Sequence, residues 1–285
     1  MLLDQESDSA TDRWLFTIDP TNGRLQKIWH DYRETRIYTS IASAWHSDGE
    51  RVVFLSDLGD RYGLYLLTPG QETPKLLTNK SFDVTGAPLI NTPSNRIFFQ
   101  SNEPSPYERH VFHISDEGGA STRVTTLPGQ HRPYPSPDGM RVALLHNSDI
   151  SPTELYLMDT RSGLPESQIT MSFNPEFISK SWVQPRYATF KSQIDDYTLH
   201  ARILEPANLK RGRQYPVIFG PAYSNTVRNR WAGNTSLLQQ LLVERGYIVI
   251  QVDVRGSTGY GREFREEFLM DFAGNDIEDL SLIHI

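Results

Sequence analysis

Ser136-Pro137-Asp138-Gly139-Met140-Arg141-Val142-Ala143-Leu144 places a tight turn directly before a short apolar run, and the same pattern stands twice more upstream. Ser47-Asp48-Gly49 precedes Arg51 and Val52-Val53-Phe54, and Pro93-Ser94-Asn95 precedes Arg96 and Ile97-Phe98-Phe99. Arg51, Arg96 and Arg141 lie 45 residues apart, the period of a propeller blade. Aspartate supplies the local hydrogen bond and glycine the positive φ that such reversals need. Each copy continues into a second β run: Leu64-Tyr65-Leu66, Val111-Phe112-His113-Ile114 before Gly118-Gly119, and Leu155-Tyr156-Leu157 before Ser162-Gly163. A partial copy precedes them in Trp14-Leu15-Phe16-Thr17-Ile18-Asp19 with Asn22-Gly23. The sequence therefore predicts an incomplete β-propeller of about three and a half four-stranded blades. A β-sandwich also has evenly spaced short strands, but nothing in it requires a 45-residue repeat. Ring closure takes four to eight blades, so further blades are expected upstream of Met1, which is then not a natural start.

Beyond about Met171 the grammar changes. Tyr187 to Pro206 reads as a β-hairpin around Asp195-Asp196, with Leu199, Ala201 and Ile203 on one face and Thr198, His200 and Arg202 on the other. Tyr215-Pro216-Val217-Ile218-Phe219 reads as a short strand apolar enough to be buried on both sides. Ser236 to Arg245 places Leu237, Leu238, Leu241 and Leu242 at helical spacing and stops at Gly246, which predicts an amphipathic helix. Tyr247 to Asp253 returns to strand, and a glycine loop from Arg255 to Gly261 leads into a second helix over 262–272. Strand, helix, strand, helix predicts a parallel α/β sheet.

Composition narrows the functions open to such a chain. The net charge is −7, and lysines and arginines are scattered, so no basic stripe invites nucleic acid. There is no cysteine, which removes disulfides, thiolate nucleophiles and cysteine-based zinc sites together. No run of about 18 apolar residues exists to span a bilayer as a helix, and Met1 to Asp12 lacks the features of a signal peptide. The histidines show no metal-binding helical spacing, and His110 and His113 fall in one strand on opposite faces, so no metal is expected.

Val252-Asp253-Val254-Arg255-Gly256-Ser257-Thr258-Gly259-Tyr260-Gly261-Arg262-Glu263-Phe264 resembles the R-G-S-x-G-Y-G loop of the dipeptidyl peptidase IV-like branch of the prolyl oligopeptidase superfamily. Ser224-Asn225-Thr226-Val227-Arg228-Asn229-Arg230-Trp231 is similar to the S-Q-x-V-x-x-x-W stretch that follows that family's Y-G-G-P turn. Ser105-Pro106-Tyr107-Glu108-Arg109-His110 and Trp45-His46-Ser47-Asp48-Gly49 resemble the same branch, so the likeness covers nearly the whole chain. It implies a partial propeller over residues 1–178 and the opening part of an α/β-hydrolase domain over 179–285. In that family Arg255, Gly256, Ser257, Gly259, Tyr260 and Gly261 correspond to scaffold. The G-x-x-G-x-G spacing is neither a dinucleotide fingerprint nor a P-loop, so phosphate cradling is not expected. A homodimer and a periplasmic or extracellular location are further implications of the resemblance.

Hydrolysis of a peptide bond on this fold needs a serine nucleophile on a G-x-S-x-G elbow, followed in order by aspartate and histidine. No G-x-S-x-G occurs in the 285 residues, and Ser257 has the wrong spacing. Asp276-Ile277-Glu278-Asp279 resembles the start of the helix that leads toward the elbow, so the whole triad is expected beyond Asp279 and the chain itself is expected to be an inactive fragment. Residues 280–285 leave the family pattern and can be back-translated into the end of a transposon-based sequencing adapter. An assembly artefact is expected there, and no role for His284. The family's oxyanion tyrosine aligns with Phe219, which has no hydroxyl; Tyr223 is either a substitute donor or a packing residue. Dipeptide-releasing members hold the substrate amine with adjacent propeller glutamates, and none occurs in residues 1–178; Glu266-Glu267 reads as a solvated helix face. Two functions follow from these residues: a serine peptidase of short peptides that needs no cofactor, or a non-catalytic propeller and degenerate hydrolase that binds peptides or proteins.

Overall fold

The computed structural model describes residues 1–35, 39–161, 165–210, 212–220, 225–267, 269, 271 and 273–281. Strands β1 (Leu2–Glu6), β2 (Asp12–Ile18) and β3 (Leu25–Tyr32) form a three-stranded antiparallel sheet. Three four-stranded antiparallel sheets follow, each paired in chain order. They comprise β4 (Ala42–Trp45), β5 (Val52–Ser56), β6 (Gly63–Leu67) and β7 (Lys75–Leu76); then β8 (Val84–Asn91), β9 (Arg96–Ser101), β10 (His110–Ser115) and β11 (Thr122–Arg123); then β12 (Gln130–Pro135), β13 (Arg141–Ser148), β14 (Ser151–Asp159) and β15 (Ser167–Gln168). Arg96 and Arg141 open β9 and β13, and Arg51 immediately precedes β5. The turns before the repeats use the expected chemistry: Gly49 and Gly139 have φ of 74° and 67°, and Asn95 takes the left-handed conformation at 49°. The Ser162-Gly163 turn lies outside the described residues.

Successive side chains of a strand point to opposite faces, and here both faces are covered. Val53 and Leu55 of β5 pack with Ile97 and Phe99 of β9, while Val52 and Phe54 pack with Leu15 and Trp29 of the first sheet. Phe98 turns the other way, against Val142 and Leu144 of β13. Stacked sheets, each sharing one face with its neighbour, explain why the repeats read as continuous apolar runs. The same stacking gathers His110, His131 and His146 into a file with ring separations of 5.2 and 4.6 Å. Burial, together with the charge His146 would carry, lowers the His131 pKa to about 3, so this imidazole packs as a neutral ring.

After α1 (Pro175–Ser179), β16 (Arg186–Lys191), β17 (Thr198–Leu204), β18 (Val217–Phe219) and β19 (Ile248–Asp253) form one mixed sheet in the order β16-β17-β19-β18. The hairpin β16–β17 is antiparallel, and β18 lies parallel to β19 with Ile218 opposite Val249. Helix α2 (Asn234–Glu244) makes the crossover between β18 and β19, and α3 (Arg262–Glu266) and α4 (Asn275–Ser281) follow. No helix among the described residues is long and apolar enough to cross a membrane.

Three expectations change here. Strand β18 is not buried on both sides: it is the sheet's edge, with Val217 45% and Phe219 40% exposed. Helix α2 turns its leucines outward, with Leu237, Leu238 and Leu241 exposed and Ser236, Gln239, Gln240 and Val243 buried. The cause is the polar character of what lies beneath it. Arg202 donates to Gln239 Oε1 at 3.0 Å, and Gln240 exchanges two hydrogen bonds with the Val183 backbone, at 2.9 and 2.8 Å. The second predicted helix is short, ending at Glu266 rather than 272, where Phe272 lies outside the described residues.

Buried ion pairs join the blades to the mixed sheet. Asp57 accepts from Arg33 at 2.8 Å and from Arg265 at 2.5 Å. Burial opposes ionisation of Asp57, but the two guanidiniums outweigh it and its pKa is lowered. A depressed carboxylate stabilises the fold above its unfolded value, and that contribution is lost as pH falls through the folded value. Asp57→Asn is therefore expected to cost about 3 kcal/mol near neutral pH, with the deficit closing below the ordinary carboxylate range of about 3.9, as read by urea unfolding across pH. On α2, Gln240→Ala is expected to cost about 1–3 kcal/mol and Leu238→Ala less than about 0.5, the reverse of what helical periodicity alone implies; equal losses would contradict the observed face.

Candidate functional site

Strand β19, apolar but for Gln251, ends in Asp253, whose side chain is fully buried. A carboxylate there must be met by donors, and four converge on it. The backbone amides of Thr226 and Val227 donate to Oδ1 at 2.6 and 3.1 Å, while Arg228 Nη1 and Tyr260 Oη donate to Oδ2 at 2.5 and 2.8 Å. One side chain thus ties the loop after β18 to the glycine loop after β19. Arg228 also donates to the Thr258 carbonyl at 2.6 Å and lies 5.4 Å from the Tyr260 ring centre. Burial and then the Asp253 charge push the Tyr260 hydroxyl well above its ordinary pKa, so it acts as a neutral donor. His200 stacks on Tyr260 at 4.4 Å and pairs through Nδ1 with the Tyr107 hydroxyl of the blade region at 2.8 Å. Burial lowers the His200 pKa to about 4 against the pull of Asp253.

The glycine loop itself packs against the blades. The Gly259 carbonyl accepts from Asn102 at 2.8 Å and Arg61 at 3.2 Å, and a Cβ on Gly261 would sit 2.3 Å from Asp60 Oδ2. Arg255, 1% exposed, reaches the other way. It donates to both Asp279 oxygens at 2.8 and 3.0 Å and to Asp195 at 2.9 Å, joining loop, hairpin turn and α4. Its hydrogen bonds to Asp279 raise its pKa, so its charge is permanent. Ser257 is fully buried, and its Oγ has no hydrogen-bond partner among the described residues.

The motif that resembles the family's tryptophan stretch also meets the blades. Asn229 donates through Nδ2 to Glu108 at 3.0 Å and accepts the Asp149 amide at 2.9 Å, and the Trp231 amide donates to Asn147 at 3.1 Å. Arg202 is not on an open face of its hairpin: it is buried against Asp149, which also accepts the Tyr187 hydroxyl at 2.6 Å. Burial pushes the Asp149 pKa up more than Arg202 draws it down. Glu266 and Glu267, read as a solvated face, are half-buried and partnered, Glu267 accepting the Tyr197 hydroxyl at 2.9 Å.

Phe219 ends β18 at the exposed sheet edge, and Tyr223 and Ser224 lie outside the described residues, as does His284. His46, Asp116 and Glu117 bring potential ligand atoms within 4.8 Å of one another. Arg51 already supplies the cation, contacting Glu117 and lying 3.4 Å from each His46 ring nitrogen. Sequence reasoning missed Asp253, Arg228, Tyr107 and His200 as a cluster. The available signal was an acidic residue closing a mostly apolar strand, since such a charge demands partners.

The family profile described as "Dipeptidyl peptidase IV (DPP IV) N-terminal region" matches residues 9–164, and that described as "Prolyl oligopeptidase family" matches residues 234–283. A dipeptidyl-aminopeptidase B of Aspergillus niger is 26% identical over 262 residues, covering 88% of this chain and 26% of its own. The crystal structure of Porphyromonas gingivalis dipeptidyl peptidase 4 superposes with a TM-score of 0.80 at 20% identity, over 99% of this chain and 41% of that one. The chain spans only 22% to 26% of the length of the curated relatives it matches. With more than half of its residues inside the first match and stacked blades leading into a mixed α/β sheet, the chain belongs to the dipeptidyl peptidase IV-like branch of the prolyl oligopeptidase family of serine peptidases.

Proposed function

We propose that the protein carrying these residues hydrolyses short peptides, after proline or a small residue, through an acyl-serine formed between the blades (residues 1–178) and a hydrolase domain that opens at 179. In an α/β sheet the ligand crevice lies outside the carboxyl ends of the parallel strands. The observation that carries the reading is that both loops leaving those ends, after β18 and after β19, abut the blades through Asn229 and Gly259. A crevice at that place is walled by both parts of the chain. The reaction needs a serine that passes its proton to histidine as it attacks the carbonyl; the leaving amine takes that proton, and water then frees the acid. All three groups are assigned to sequence beyond Asp279, so these 285 residues alone have no peptidase activity. Ser257 is not assigned as the nucleophile: its spacing is not that of a G-x-S-x-G elbow, and its buried hydroxyl has no hydrogen-bond partner among the described residues. Arg255 is scaffold, and Tyr223 is the candidate oxyanion donor.

Phe219 favours a second reading, a propeller with a degenerate hydrolase that binds peptides without cleaving them, since the position aligned with the family's tyrosine lacks a hydroxyl. The coding sequence downstream of Asp279 separates the two. A G-x-S-x-G within a few dozen codons, and cleavage of dipeptide p-nitroanilides that is abolished by changing its serine to alanine, is the expected result. Absence of the elbow sinks the peptidase reading and leaves binding. For Arg255, Arg255→Lys keeps the charge but loses the fork to Asp279, and is expected to cost about 1–3 kcal/mol of stability with KM unchanged. A large rise in KM at unchanged stability would place it in substrate binding instead.

A further inference from the structure

A cavity of about 260 Å³ lies between the start of α2, the loop over 226–232 and the face of β17 and β19. Its lining carries arginines, hydroxyl side chains and two glutamines, with Ala232. Three arginines reach it, Arg202, Arg228 and Arg230. The first two are compensated, Arg202 by Asp149 at 2.7 Å and Arg228 by Asp253 at 2.5 Å. The Arg230 side chain forms no hydrogen bond or ion pair among the described residues, so one positive charge is left over. Partial burial and the neighbouring Arg228 lower its pKa against the pull of Asp253.

Two further features point the same way. Helix α2, 11 residues long, begins at Gly233 with no side-chain cap; the Thr235 amide is met by the Ala232 carbonyl at 3.3 Å, and Thr235 and Ser236 bring the positive end of the helix dipole to the cavity. Gln239, 3% exposed, also lines the cavity; its Oε1 accepts from Arg202, which leaves Nε2 as a buried donor with no partner. A buried unpaired donor destabilises the fold, and an acceptor in the cavity would satisfy it. The volume far exceeds the ~15 Å³ needed to hold one water, so a group of phosphate size fits.

We infer that this cavity is a binding site for a small oxyanion, phosphate or carboxylate, held by Arg230, by Gln239 Nε2 and by the first turn of α2. The site uses no nucleophile, so it stands or falls independently of the peptidase reading. Isothermal titration of the 285-residue chain with inorganic phosphate and, separately, with acetate tests it, in chloride buffers of matched ionic strength. At least one of the two is expected to bind with Kd at or below about 1 mM. Tighter phosphate marks a tetrahedral ligand, and tighter acetate a carboxylate such as a peptide C-terminus. Arg230→Gln, at an exposed position, and Gln239→Met are each expected to weaken binding about tenfold or more, the factor implied by one lost charge-assisted hydrogen bond. Arg230→Lys is expected to keep most of it. No heat from either anion, or Arg230→Gln binding as the unsubstituted chain does, overturns the inference.

Discussion

The carboxylate of Asp253 is the constraint around which the second half of the molecule is organised. A negative charge at the end of a buried strand is tolerated only when every lone pair is met, and the donors that meet it come from two loops that would otherwise be independent. The amides of Thr226 and Val227 fix the path of one loop, and Tyr260 fixes the other. Arg228 then extends the network to the Thr258 carbonyl. Because Tyr260 stacks on His200 and His200 bonds to Tyr107, the same network reaches the blade region without a break. The placement of these two loops follows from charge compensation more than from apolar packing.

The rest of the seam repeats that logic. Asp57 with Arg33 and Arg265, and Asp149 with Arg202 and Tyr187, are buried groups whose partners come from distant parts of the chain. Apolar clusters hold sheet to sheet within the blade region, whereas charged and amide groups hold the blade region to the mixed sheet. Such polar joints are directional, so they fix orientation in a way that area burial does not.

The blade pattern was legible because it depends on local rules: a turn residue able to take positive φ, then alternation. Asn95 obeys the rule as well as Gly49 and Gly139 do. The parallel pairing of β18 with β19 was legible from the strand, helix, strand order. Helix α2 was not, because periodicity reports which residues share a face and not which face turns inward. Leu237, Leu238 and Leu241 do share one, but Arg202 of the sheet meets Gln239 and the Val183 backbone meets Gln240, and these contacts select the glutamine face. The site cluster was hidden for a similar reason. Tyr107, His200 and the Asp253–Tyr260 stretch are far apart in sequence, and no spacing rule links them.

The outer edge of β18 has a practical consequence. Val217, 45% exposed, sits on β18, the strand that ends the sheet order among the described residues. An exposed apolar residue on a terminal strand favours strand addition by a second molecule. In a recombinant preparation, the route to a well-behaved sample therefore runs through this border: a lysine in place of Val217 blunts it while leaving the interior of the blades untouched.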